Sequence, residues 1–322
     1  MTDQAAVTGT HGTTGDDHFA ARMRRQDIGN FIKQLVHAKP EMMPEHLPTC
    51  PAFITFMCLR YADSNNDDRS IQGLLTNYIN GIRAVIKKAK GNTEMTIFWL
   101  ANTCRLTHLI KQYSGDESVD GKEENLRWNL QNFNLDDYCQ VLSDLSVRIY
   151  HELLRGVHEK LQTIIIKAML EAELIPDVSP SKQFFKSHST KLQSSINVTA
   201  ITKVLIDLLI TLKKFDVDLK VIKQVFRQIF YFIAAYMLNN MLLRKDMCNW
   251  SKGMQIRYNI SQLEEWCRNN SLSESGAIES LEYVTQATQL LQVSKKTKED
   301  VDGIFDMCNR LNPLQVLYDI HS

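Results

Sequence analysis

Between positions 71 and 86 the apolar residues Ile71, Leu74, Leu75, Tyr78, Ile79, Ile82, Val85 and Ile86 fall at steps of three and four. That spacing puts all of them on one stripe of an α-helix and on no single face of a strand. Asp67 or Asp68 can cap such a helix by accepting backbone N–H bonds. At its far end the lysines of "KKAKGN" oppose the negative end of the helix dipole, and Gly91 is placed to terminate the turn. The same periodicity runs through the chain, whereas strand-like alternation is nearly absent, so the expected fold class is all-α. A second helix over 94–113 is apolar almost all round at "IFWLANTC" and should lie in a core. Further helices are expected at 197–214, 218–243, 254–269 and 276–293, with a last one from Lys298. Their stripes include Ile222, Val225, Phe226, Ile229, Phe230 and Ile233, then Ile256, Ile260, Leu263 and Trp266.

A chain of 322 residues can form one large domain or two smaller ones. Two packed helical-bundle sub-domains are expected, linked by a long shared helix. Asn134 reads as the cap of that helix, which runs unbroken to about residue 174, some 60 Å at 1.5 Å per residue. The proline- and serine-rich "IPDVSPSKQFFKSHSTKLQSS" follows as a flexible loop. The expected division is a disordered leader over 1–26, an N-terminal helical sub-domain with the connecting helix over 27–175, the loop over 176–196, and a C-terminal helical sub-domain over 197–322. No self-similarity at 20–50 residues supports a repeat solenoid. The leader lacks the apolar core of a secretory signal. The stretch "IFYFIAAYMLNNMLL" is about fifteen residues long and interrupted by two asparagines, so it reads as a buried helix rather than a membrane span.

Lys+Arg and Asp+Glu both total 37, so no global field draws the chain to nucleic acid or to an anionic bilayer. The cysteines form no C-x-x-C pair and no Cys/His cluster, in keeping with reduced, mostly buried thiols in a cytoplasmic protein. Phosphate chemistry would require a glycine-rich cradle, and "DGKEEN" has a single glycine. His151 and His158, seven apart on one face beside Glu152 and Glu159, could approach a metal, but no third ligand is evident and a solvated face explains the same letters. No G-x-S-x-G elbow occurs, and Cys104 and Cys139 sit in apolar rows. No enzyme, cofactor or metal centre is expected.

The longest specific signal is "LNNMLLRKDMCNWSKGMQIRYNISQLEEW". It resembles the globular tail domain of class V myosins, often called the dilute domain. "FMCLRYADSNNDD", "LLTNYINGIRAVIKK", "FWLANTCRLTHLIKQYSG", "NFNLDDYCQVLSDLSVRIY" and "QATQLLQVSKKTKEDVDGIFDMCNRL" resemble consecutive parts of the same domain, from about Asp27 to Leu311. The resemblance implies a non-catalytic, all-α cargo-binding module that docks vesicle or organelle adaptors and Rab-family small GTPases. It also implies an inhibitory contact with the parent motor head, and a cytoplasmic location on vesicles and the actin cytoskeleton. In that family a lysine after "LLR" contributes to head docking, and the matching position is Lys245; the place of a second family lysine, aligned through "LQVLYD", holds Tyr318. The family domain continues through further helices and a C-terminal arm beyond the match, so the chain is expected to lack that portion. The alternative reading is a non-motor helical scaffold or vesicle-tethering subunit.

Read residue by residue, Ile256, Ile260, Leu263 and Trp266 are core positions, and Gly253 permits a tight turn before their helix. Arg244, Lys252 and Arg257 lie near the junction between two helices, where exposed side chains can converge into a motor-head patch with Lys245; helix-end capping or surface ion pairs are the alternatives. Arg83, Lys87, Lys88 and Lys90 read as a solvated face. Arg60, Tyr61 and Asp63 are candidates for the border of a cargo groove, since arginine and tyrosine often anchor interfaces. A short adaptor segment would lay apolar anchors between helices there, at micromolar-scale affinity.

Overall fold

The computed structural model describes residues 25–114, 130, 132–172, 197–244, 249–292, 303, 308 and 310–311. Among these residues there is no strand. Two compact units form. One takes in the described residues up to Lys90 together with Glu94–Tyr150, the other Gly91–Thr93 and the described residues from His151 onward.

The first unit holds α1 (Arg25–Leu35), α2 (Cys50–Ser64), α3 (Asp68–Lys88), most of α4 (Thr93–Tyr113) and the beginning of α5 (Asp136–Gln162). The Asp67 carboxylate accepts the Ser70 N–H at 3.3 Å and so caps α3, whose apolar stripe is buried apart from half-buried Val85. Past its end Gly91 takes φ +85°, the left-handed conformation expected of a helix terminator. Helices α1 and α3 pack closely: a Cβ added at Gly81 would lie 2.6 Å from Val36 Cγ2.

Helix α4 is buried on nearly every side from Thr96 to Ile110. Its buried Asn102, Thr103 and Thr107 are compatible with that because each has a partner: Thr103 and Thr107 donate to the carbonyls of Trp99 and Thr103 at 2.7 and 2.8 Å. Asn102 donates to the Phe98 carbonyl at 2.9 Å, and its oxygen accepts the Ala52 N–H at 3.0 Å. It therefore serves the first turn of α2, whose own cap residue Thr49 makes no side-chain capping bond. Trp99 stands edge-on to Phe98 and Tyr78, with ring centres 5.0 and 6.2 Å away.

The second unit holds the rest of α5, a π-helical turn (Ile166–Glu171), α6 (Val198–Lys214), α7 (Leu219–Leu243), α8 (Trp250–Asn269), α9 (Ala277–Ser280) and α10 (Glu282–Leu290). Asn197, Asp218 and Asn249 cap α6, α7 and α8 by accepting the N–H groups of Thr199, Lys220 and Lys252. Helix α7 is long and apolar enough to cross a membrane by length and composition, but Ile222, Val225, Phe226, Ile229, Phe230 and Ile233 are buried. It packs against α9, α10 and the π-helical turn, as a core helix does.

Three expectations are corrected here. The long helix does not continue to residue 174: α5 ends at Gln162 and the backbone resumes as the π-helical turn, whose Met169 carbonyl receives Asn259 Nδ2 from α8 at 2.9 Å. The helix expected over 276–293 is broken at Leu281 into α9 and α10. Gly253 lies inside α8, not in a turn before it, and its role is close approach: an added Cβ would meet the Thr288 carbonyl and Leu291 Cβ at 3.1 Å. Of the leader expected over 1–26, residues 1–24 lie outside the described residues, as do the loop over 176–196 and the helix start at Lys298, while Arg25 and Gln26 begin α1.

Candidate docking surface

The helical phase of α7 that buries Phe226, Phe230 and Ile233 turns Arg227, Gln228 and Tyr231 outward. These three form one wall of a groove of about 670 Å³. Its other wall comes from Glu274, Ser275 and Gly276, from Glu279 and Ser280 on α9, and from Tyr283 on α10, with Arg310 also lining it. Gly276 adopts φ +77°, and a Cβ there would lie 3.2 Å from Arg227 Cδ, so glycine meets both a conformational and a steric requirement of this wall. The hydroxyls of Ser275 and Ser280 donate to the carbonyls of Leu272 and Gly276. Ion pairs brace the surroundings: Lys223 Nζ to Glu274 Oε2 at 3.1 Å, and Arg310 Nε to Glu282 Oε2 at 2.8 Å. Tyr231 is 56% exposed, so the groove presents aromatic surface together with guanidinium and carboxylate groups. That mixture is suited to gripping a protein surface.

Sequence reading passed over this groove because Tyr231 sits within "IFYFIAAY", which looks uniformly apolar. The available signal was phase: Tyr231 is off the stripe Ile222, Val225, Phe226, Ile229, Phe230, Ile233. The other wall depends on the break at Leu281, which no periodicity announces.

The residues singled out from sequence are distributed as follows. Arg244 is the C-cap of α7, and its guanidinium meets Glu171 of the π-helical turn at 2.7 Å. Lys252 lies in the first turn of α8, its N–H held by Asn249 at 2.9 Å, and Arg257 meets Glu264 at 3.0 Å. Arg244 and Lys252 thus flank the 245–248 connection; Lys245 itself, like Tyr318, lies outside the described residues. Arg60, Tyr61 and Asp63 are on α2 in the first unit. Arg60 reaches Met57 Sδ at 3.6 Å. Asp63 is buried: its carboxylate accepts the Asn132 N–H at 3.1 Å and its carbonyl accepts Asn132 Nδ2 at 2.7 Å, fastening the approach to α5 onto α2. Arg83, Lys87, Lys88 and Lys90 are all exposed.

Among the described residues no group of three or more His, Cys, Asp or Glu side chains is placed to hold a metal. His151 is exposed, but His158 is not on a solvated face. Its ring stacks on Phe232 at 3.9 Å, and burial lowers its pKa. Burial pushes the Cys58 thiol up to about 11 and the Cys267 thiol up to about 12, so both stay protonated and unreactive near neutrality. The Cys139 thiol is also raised, again chiefly by burial. Trp266 is only half-buried, against Phe226 and Phe230, whereas Ile256, Ile260 and Leu263 are fully buried.

Comparison with known proteins agrees with this architecture. A family model described as the DIL domain matches residues 224–320. Unconventional myosin-Vb of Homo sapiens is 44% identical over 300 residues, and unconventional myosin-Va of Gallus gallus is 46% identical over 302, each match covering 91% of this chain. The chain spans about 16% of the length of these relatives. Among solved structures, a myosin V cargo binding domain superposes with a TM-score of 0.72 at 21% identity, covering 96% of this chain and 78% of that one. At that identity the superposition speaks for the fold alone. The extended identity to the myosin-V tails, the DIL match and the shared all-helical fold lead to one conclusion: the chain belongs to the family of class V myosin globular tail domains.

Proposed function

We propose that this domain works without catalysis, as the cargo-docking and autoregulatory tail of a cytoplasmic, actin-based motor. It docks vesicle or organelle adaptors and Rab-family small GTPases, and it contacts the motor head. Solved structures of similar fold, at 20–21% identity, are described as Myo2-GTD in complex with Mmr1, with Smy1 and with Inp2, which supports adaptor docking as the shared use of the scaffold. The single observation that carries the reading is the open groove between Tyr231 on α7 and Tyr283 on α10, rimmed by charged side chains.

In this reading the groove of the second unit takes a partner surface, and Arg60 and Tyr61 border a further contact in the first unit. Asp63 acts there through the Asn132 segment that it fastens. Arg244, Lys245, Lys252 and Arg257 form the motor-head patch, where charge speeds and orients encounter more than it adds affinity. The immobilised domain is exposed to a panel of purified Rab GTPases, each loaded with a GTP analogue, and to adaptor segments. Retention of at least one, weakened about tenfold or more by Tyr231→Ala, is the expected result. Retention of none, while a longer myosin-V tail retains several, overturns the reading. Lys245→Glu tests the head patch separately: salt-sensitive association with an isolated motor head should fall, and unchanged association removes the assignment.

A further inference from the structure

The solvent face of α8 departs from what a surface helix normally carries. Ile256, Ile260, Leu263 and Cys267 are buried on one side, so the opposite side should be polar. In its N-terminal half that side holds Trp250, Met254 and Tyr258 instead, at i, i+4 and i+8, and they are 55%, 37% and 43% exposed. The three stand one turn apart in a row roughly 12 Å long at 1.5 Å per residue. Each exposes large apolar surface to water, and tryptophan, tyrosine, methionine and arginine are the residues most enriched in interface cores.

The stretch of α8 that carries the row is basic, and the acids Glu264 and Glu265 follow only beyond it. Residues 249–263 contain Lys252 and Arg257 and no acid. Arg257 follows Met254 by three positions and borders the row. It shares the Glu264 carboxylate with Arg268, at 3.0 and 3.5 Å, which leaves that trio net positive. The positive end of the helix dipole lies at the Trp250 end. None of these residues lines the groove of α7, α9 and α10.

We propose that this face of α8 docks an acidic amphipathic helix of a partner protein, with apolar anchors at helical spacing and carboxylates beside them. Charge complementarity selects this occupant. A second copy of the same face would bring like charge against like, and three anchors on a chain of formally zero net charge offer little hold on an anionic bilayer. The inference rests on the reading of the domain as a docking module, and it extends the basic patch of Lys252 and Arg257 by giving it an apolar half.

The experiment titrates the full chain with three synthetic peptides of about sixteen residues. The first carries leucines at i, i+3, i+4 and i+7 with glutamates elsewhere; the second replaces the glutamates by lysines; the third keeps the first composition with the leucines dispersed around the helix. The first peptide should bind about tenfold or more tightly than either other, and more weakly as salt rises. Trp250→Ser, and separately the pair Met254→Ser and Tyr258→Ser, should each weaken it by about fivefold or more with unchanged thermal unfolding. Tyr231→Ala in the groove should leave it unchanged. Equal binding of the dispersed or lysine peptide, no binding of the first, or insensitivity to both α8 variants overturns the proposal. Loss of binding in Tyr231→Ala does so too, because it moves the peptide to the groove without harming the docking function. Displacement of the first peptide by anionic vesicles, or self-association through the row, also overturns it by naming another occupant.

Discussion

Helices α4 and α8 both carry tryptophan, methionine and asparagine among their aliphatic residues, yet they serve different ends. In α4 the large side chains Phe98, Trp99 and Leu100 are all buried, and the buried hydroxyls of Thr103 and Thr107 close onto carbonyls one turn back. In α8 only one side is buried. There Asn259 crosses to Met169 of the π-helical turn, with Gln255 Nε2 donating to Asn259 Oδ1 at 3.3 Å, while Trp250, Met254 and Tyr258 face water. The contrast teaches that apolar content alone does not distinguish scaffold from contact surface. What distinguishes them is whether neighbouring elements cover the face.

Substitutions can test that difference, and the largest effect should come from α4. Trp99→Ala should lower unfolding free energy by about 3–5 kcal/mol in a denaturant titration, because it removes a fully enclosed aromatic ring. A loss below about 1 kcal/mol would mean that α4 is not the core element described here. On the inner side of α8, Asn259→Ala should cost about 1–3 kcal/mol by leaving the Met169 carbonyl without its buried donor. Gly253→Ala should cost a similar amount, since the new methyl meets backbone at Thr288.

His158 gives a smaller, pH-dependent effect. Its folded-state pKa lies below the unfolded value of about 6.5, because burial against Phe232 penalises the charged ring. Below about pH 6.5 the unfolded chain therefore takes up a proton that the folded chain resists. Stability should fall as pH drops through that value, then level off once His158 protonates in the fold. His158→Phe should flatten this part of a pH–stability profile, and a profile unchanged by the substitution would remove His158 as its source. The smallest stability effect belongs to the outer face of α8: Trp250→Ser should leave unfolding free energy within about 0.5 kcal/mol while changing peptide binding. A large stability loss there would make the outer face part of the scaffold and erase the contrast with α4.

Much of the fold was legible in the letters, for identifiable reasons. The α3 stripe with its cap at Asp67, the all-round burial of α4 and the helix starts near Asn197 and Asp218 follow from local periodicity and local hydrogen bonding, which act over one or two turns. The family was legible because a long, dense signature runs from α7 into α8. The break after Gln162, the division at Leu281 and the place of Gly253 inside α8 were not, because each depends on a contact or backbone choice outside its own turn. The groove was hidden for the same reason. Tyr231 and Tyr283 stand 52 positions apart, and only the folding of α7 against α9 and α10 gives them a common cavity.

What the amino-acid order determined by itself is the all-α class, most of the described helices with their buried stripes, and the kinship to myosin-V tails. These depend on residues within a few positions of one another, where backbone geometry leaves few options. What only the tertiary structure decided is which apolar faces stay uncovered, where Asn102 and Asn259 find their long-range partners, and which side chains gather around the groove. Those outcomes depend on which distant segments come to lie against each helix, and a helical stripe reads the same whether its neighbour is part of the chain or a partner still to arrive.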